Sequence, residues 1–195
     1  MRSVRLFSRL TVFVASLTLA HAASPWSVRI AATYLQTTDG STNSTVDVDI
    51  EDKLIPEFDI TYAFTGHWAA ELVLTTPQEH GVKVNGVTAG NFKHLPPTLL
   101  AKYTFDSIGG FKPYLGAGVN FTLIFDENLG GAKLDNYSVG PTAQAGFDYS
   151  LNDRWSLNAD VKRAMLRTDV KAGGVTLTEA RLDPWLYSLG LRYTF

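Results

Sequence analysis

Trp185-Leu-Tyr-Ser-Leu-Gly-Leu-Arg-Tyr-Thr-Phe195 closes the chain and decides its fold. Trp185, Tyr187, Leu189, Leu191, Tyr193 and Phe195 fall on one face of this segment, and Leu186, Ser188, Gly190, Arg192 and Thr194 on the other. Side chains alternate across a strand with period two, so one face is apolar with aromatic ends and the other small, polar and charged. A soluble sheet rarely leaves its most apolar strand as an uncovered last edge. A transmembrane barrel does, because lipid covers the outer face and the last strand pairs with the first.

The other end of the chain points to the same compartment. Arg2, Arg5 and Arg9 precede the apolar run Leu10–Leu19, and Ala20-His21-Ala22 supplies a small-residue cleavage signal. This pattern predicts a secretory signal peptide over residues 1–22 and a barrel domain over 23–195. The 17 Lys and Arg stand against 19 Asp and Glu; without the three leader arginines, 14 bases remain. An acidic mature chain argues against an electrostatic nucleic-acid binder. The absence of cysteine from the sequence excludes disulfide and thiolate chemistry. No apolar run reaches the ~18 residues of a membrane helix.

Seven further alternating segments precede the last: Trp26–Leu35, Ile55–Phe64, Trp68–Thr76, Leu95–Phe105, Phe111–Phe125, Tyr137–Leu151 and Trp155–Leu166. The last begins at Leu182. Tight turns at 65–67, 106–110 and 152–154 alternate with long connections at about 36–54, 77–94, 126–136 and 167–181. Short turns on one side and long loops on the other predict an all-β, eight-stranded, antiparallel, up-and-down transmembrane barrel. Phe64, Trp68, Phe105, Phe111, Tyr149 and Trp155 flank the tight turns as a periplasmic aromatic girdle; Tyr34, Phe125, Tyr137 and Trp185 supply the outer one. Pro56, Pro96, Pro97, Pro113, Pro141 and Pro184 each remove a ladder donor; several lie near strand ends, but Pro113 and Pro141 interrupt otherwise clean alternations, where bulges or ladder defects are expected.

The same register turns Arg29, Glu57, Asp59, Glu71, Lys102, Lys112, Asp148, Asp160, Lys162 and Arg192 inward. Arg or Lys at the lipid midplane costs about 2–4 kcal/mol, so alternation hides these charges in the lumen. Arg29, Asp59, Glu71, Lys102, Lys112, Asp148 and Arg192, with Tyr114 and Asn158, fall toward the short-turn end as a polar plug. Toward the long-loop end the inward positions soften to Leu35, Val73, Thr75, Pro96, Leu100, Ile124, Ala164, Leu166 and Leu186. An apolar vestibule above a polar plug is not a general water pore. It suits a small hydrophobic molecule entering from outside and leaving sideways, through a gap that the prolines supply.

His94-Leu-Pro-Pro-Thr-Leu-Leu-Ala-Lys-Tyr-Thr-Phe105, Phe111-Lys-Pro-Tyr-Leu-Gly-Ala-Gly-Val-Asn-Phe-Thr122, Gln144-Ala-Gly-Phe-Asp-Tyr149, Trp155-Ser-Leu-Asn-Ala-Asp-Val161 and Leu182-Asp-Pro-Trp185 resemble, in order, the OmpW family of small Gram-negative outer-membrane proteins. The resemblance implies an eight-stranded barrel with a hydrophobic channel for passive passage of small apolar compounds, with relatives in alkane-degrading bacteria linked to hydrocarbon uptake. The family's apolar constriction draws on the third and seventh strands. Here Val73 keeps that character, whereas the seventh-strand position falls at Lys162, a departure that weakens carry-over of an open apolar channel.

Other signals carry less. Gly116-Ala-Gly118 lacks the third glycine and the helix of a dinucleotide loop. Asp47, Asp49, Glu51 and Asp52 read as a solvated acidic loop, with divalent bridging to lipopolysaccharide the weaker alternative. His67, His80 and His94 are too scattered for a metal centre, no cofactor motif is present, and no serine sits beside a histidine as in a hydrolase. Ser188-x-Gly190-Leu191-x-Tyr193-x-Phe195 fits the pattern read by barrel-assembly machinery, through Tyr193 and Phe195. The sequence therefore predicts a non-enzymatic outer-membrane channel for small hydrophobic molecules, in contact with membrane lipids and lipopolysaccharide. The alternative is a sealed structural or receptor barrel with binding loops.

Overall fold

The computed structural model describes residues 24–37, 39–41, 48–50, 52–84, 87–128, 132–134, 136–172 and 175–195. Residues 1–22, where the sequence predicts a signal peptide, and the acidic residues Asp47 and Glu51 lie outside the described residues. Eight strands build the wall: β1 (Trp26–Gln36), β4 (Lys53–Ala63), β5 (Trp68–Thr75), β8 (Thr98–Thr104), β9 (Phe111–Asn128), β11 (Tyr137–Ser150), β12 (Trp155–Ala164) and β15 (Trp185–Thr194). The ring runs β1-β4-β5-β8-β9-β11-β12-β15 and returns to β1, every pairing antiparallel.

Closure follows from the terminal strand. Its ladder with β1 runs without slip from Ser27↔Thr194 to Gln36↔Trp185. The Ser24 amide donates to the Phe195 carbonyl at 3.0 Å and the Phe195 amide to the Trp26 carbonyl at 3.2 Å, so the final edge is fully paired. Alternation then sorts the side chains. Along β11, Tyr137, Val139, Pro141 and Ala143 are exposed while Ser138, Gly140, Thr142 and Gln144 are buried. The protein is inverted relative to a soluble one: its polar side chains are inside and its apolar ones face lipid.

Aromatic rings pack around the short-turn end, edge to face between Trp26 and Tyr62, Trp68 and Tyr103, and Tyr193 and Phe195, and tilted between Phe111 and Tyr149 and between Trp155 and Tyr193. Gly109 and Gly110, at φ +60° and +90°, make the tight bend between β8 and β9 possible. Gly146 has a different task. A Cβ there would lie 2.5 Å from Asp160 Cβ and 2.7 Å from Tyr114 Oη, so its missing side chain admits the lumen's tyrosine.

Two expectations change. The long connections are not loops: they contain β2 (Asp39–Ser41), β3 (Val48–Ile50), β6 (Gln78–Val84), β7 (Val87–Leu95), β10 (Ala132–Leu134), β13 (Arg167–Ala172) and β14 (Val175–Leu182). β7 extends the wall beside β9, while β10, β13, β14 and β2 form a separate four-stranded sheet. The missed signals are Asn85-Gly86 and Gly173-Gly174, dipeptides that favour two-residue hairpins. Nor do Pro113 and Pro141 shift register: Pro113 stays opposite Phe147 and Pro141 opposite Val119. Each sits where a neighbouring strand ends, its carbonyl accepting from Phe105 or Met165, so the missing N–H meets no continuing ladder.

Candidate functional site

Arg29 on β1 organises the upper plug. Its guanidinium donates to Asp59, Glu57 and the Asn158 side-chain oxygen, and to Asp160 Oδ2 at 2.7 Å. Five donors in a planar fork suit an arginine to three carboxylates at once. Glu71 on β5 organises the lower plug. It accepts from Lys102 Nζ at 2.6 Å, Gln144 Nε2 at 3.0 Å, Arg192 Nη2 at 3.1 Å and Thr61 Oγ1 at 2.9 Å. Tyr114, Asn158, Gln144 and Asp148 join the two layers. Tyr114 Oη donates to Asp160 at 3.0 Å, Asn158 Nδ2 donates to Tyr114 Oη at 2.9 Å and Asp148 Oδ1 at 2.7 Å, and Arg192 Nε reaches Asp148 at 3.1 Å.

Arg29, Asp59, Glu71 and Asn158 are 0% exposed, so bulk water reaches none of them. Of the expected plug residues, Lys112 differs. It is exposed near the start of β9, opposite Asp148, because only one residue of that strand lies below it. Among the described residues the buried charges are thus five acids, Glu57, Asp59, Glu71, Asp148 and Asp160, against four bases, Arg29, Lys102, Lys162 and Arg192.

Above the plug, on the long-connection side, lies a cup of about 490 Å³, part of it open to solvent. Leu35, Val73, Ala164, Leu166, Pro184 and Leu186 give it apolar walls. Thr75 and Pro96, inward in the sequence register, also line it. Leu100 and Ile124 are buried but outside the lining: Leu100 is opposite Glu71 at plug level, and Ile124 opposite His94 above. Lys162 forms the floor, donating to Glu57 Oε1 at 2.7 Å, Asp160 Oδ1 at 2.9 Å and Ser188 Oγ at 3.3 Å. The departure at this position is therefore a neutralised cation tied into the plug.

Residues absent from the sequence-based vestibule are Glu57, His94, Thr98, Asn120, Thr142 and Pro184. Parity along each strand would have found Thr98, Asn120 and Thr142, which point inward with the apolar positions; selecting for hydrophobicity passed over them. Asn120 Nδ2 donates to Thr98 Oγ1 at 2.7 Å and Thr122 Oγ1 to Asn120 Oδ1 at 2.5 Å, so that wall is internally hydrogen-bonded.

The ladder beside the cup is interrupted. Pairing between β5 and β8 stops at Val73↔Thr98 and resumes, between β6 and β7, at Gln78↔His94. Pro77 on one side and Pro96-Pro97 on the other occupy the seam, and prolines donate nothing to a ladder. Farther out, the Asp52 carboxylate accepts from Tyr34 Oη at 2.8 Å and the Thr37 amide at 3.0 Å, so this member of the acidic run ties β1 to the approach to β4. Among the described residues no group of His, Asp and Glu is arranged to hold a metal.

Known proteins share this architecture. An outer-membrane protein of Sinorhizobium fredii, y4mB, is 42% identical over 88% of this chain and 80% of its own length. Outer membrane protein W of Vibrio cholerae is 37% identical over 69% of this chain and 70% of its own. The crystal structure of OprG from Pseudomonas aeruginosa matches with a TM-score of 0.75 and 30% identity, covering 89% of this chain and 97% of that one. The OmpW family model matches residues 19–195. Sequence, closed barrel and relatives agree: the chain is an outer-membrane β-barrel and belongs to the OmpW family.

Proposed function

We propose that the barrel is a passive, non-enzymatic entry route for small apolar molecules across the outer membrane. The observation that carries this reading is the apolar-walled cup on the outer side of a buried, ion-paired plug. Outer-membrane barrels place short turns in the periplasm and long connections outside. A molecule arriving from outside is stripped of water among Leu35, Val73, Leu166 and Leu186, and the charged network below gives it no apolar way through the lumen. Its outlet is the seam at Thr75–Pro77 and Leu95–Pro97, where Val73, Thr75, Pro96 and Thr98 line the cup and the ladder between facing strands lapses. From there it passes into the lipid without crossing the plug.

In the same reading, Tyr193 and Phe195 are the address recognised by barrel-assembly machinery, and the outward apolar face contacts lipid and lipopolysaccharide. The continuous ion-pair network favours one other reading, a sealed barrel that serves structurally. Uptake of a hydrophobic probe separates the two. Leu166→Trp fills the cup without touching an ion pair and is expected to slow entry to the rate of cells lacking the protein. A heat-dependent gel shift checks that the variant is folded. Equal uptake by wild type, variant and protein-free cells contradicts the channel and favours the structural barrel.

A further inference from the structure

The cup makes a chemical demand that apolar cargo does not meet. Three buried oxygens on its lining side chains lack a hydrogen-bond partner: Glu57 Oε2, Thr75 Oγ1 and Thr142 Oγ1. Native structures pair about nine in ten or more of their buried polar groups, so three orphans around one cavity point to an occupant that pairs them. Glu57 and Thr75 are cross-strand neighbours on β4 and β5, and Thr142 stands on β11, across the ring. At Glu57 the demand is for a donor. Glu57 Oε1 is taken by Arg29, Lys162 and Ser188, whereas Oε2 of the same carboxylate has nothing. Lys162 is saturated, its three N–H groups matched by Glu57, Asp160 and Ser188, so the floor offers little to a ligand's acceptor.

A cationic donor fits less well than a neutral one. An ammonium on Oε2 would share a single carboxylate with Lys162 and Arg29, placing three desolvated cations around it beneath apolar walls. A hydroxyl donates the same bond without that cost. Its own oxygen is met by the threonine hydroxyls, which act as donors or acceptors. We infer that the cup binds small hydroxylated amphiphiles, with the apolar body among Leu35, Val73, Leu166 and Leu186 and the hydroxyl head donating to Glu57 Oε2. The inference rests on the uptake reading and narrows its cargo to alcohols and phenols in preference to bare hydrocarbons.

The test uses methyl-labelled full-length barrel in lipid nanodiscs, titrated with benzyl alcohol, benzyl methyl ether and toluene. Free aqueous concentrations are measured to remove partitioning into lipid. The methyl resonances of Leu35, Val73, Thr142 and Leu166 report occupancy of the cup. Alcohol and ether differ chiefly in the donor, and one hydrogen bond to a charged acceptor corresponds to about tenfold or more in affinity, so the alcohol is expected to bind at least that much tighter. Glu57→Gln should lower the alcohol-to-ether ratio several-fold. The ligand comparison stands if that variant fails to fold. Alcohol and ether binding alike, or toluene alone binding, overturns the inference and leaves apolar uptake intact. No shift with any of the three, toluene included, counts against both.

Discussion

At the residue scale, Arg29 is the keystone of the plug. It stands 0% exposed among Glu57, Asp59 and Asp160, and no other cation meets Asp59 at hydrogen-bond range among the described residues. Replacing it with methionine keeps much of the volume but leaves three carboxylates without their shared partner. Breaking a buried ion pair from one side costs about 3–5 kcal/mol, so Arg29→Met should lower the urea stability of the refolded barrel by that order. A loss below about 1 kcal/mol, the scale of an exposed ion pair, would show the network to be dispensable. The charged character of this interior was legible in the sequence, because alternation allows Arg29, Glu71 and Arg192 no other side. Which carboxylate each base meets was not. That depends on strand stagger and on reach across the lumen, as in the 2.7 Å contact from Lys162 on β12 to Glu57 on β4. Lys112 shows the limit of parity, which gives a side chain's face but not its depth.

At the element scale, the wall strands were readable because lipid and lumen impose opposite demands on adjacent residues. Phe111 to Phe125 alternates without a break and folds as one strand, with Leu115 53% exposed on the lipid side. Leu115→Arg places a charge in the apolar belt and should cost about 2–4 kcal/mol near the midplane, measured by denaturant unfolding in phospholipid vesicles. A neutral result would mean that this face does not meet lipid. The terminal strand carries a separate prediction. Phe195 is 56% exposed, packs against Tyr193, and makes its ladder bonds through the backbone. Phe195→Ala should therefore change refolded stability little, yet lower the amount of folded barrel in the outer membrane of cells. Unchanged assembly would remove the recognition role assigned to Tyr193 and Phe195. The strands beyond the wall were less legible: polar segments such as Gln78–Val84 lack a lipid-facing run, and only the Asn-Gly between β6 and β7 marks the hairpin.

At the scale of the whole molecule, one closed sheet supports two chemistries by depth. The lower lumen is polar, buried and cross-linked by charge; the upper lumen is an apolar-walled cup whose side ladder is interrupted where β5 gives way to β6 and β7 to β8. A narrow eight-stranded barrel has room for side chains or one small ligand, not for an open aqueous channel. Val73 and Leu186 in the cup wall were legible from parity; the lapse in pairing at Pro77 and Pro96-Pro97 was not, because a proline's effect depends on whether its missing donor faces a continuing strand. The proposed passage is therefore selective and needs no water pore. The direct measurement compares the initial entry rates of naphthalene and glycerol into cells with and without the protein. The account predicts faster naphthalene entry when the protein is present and no change for glycerol. Accelerated glycerol entry, or naphthalene entry independent of the protein, would contradict it.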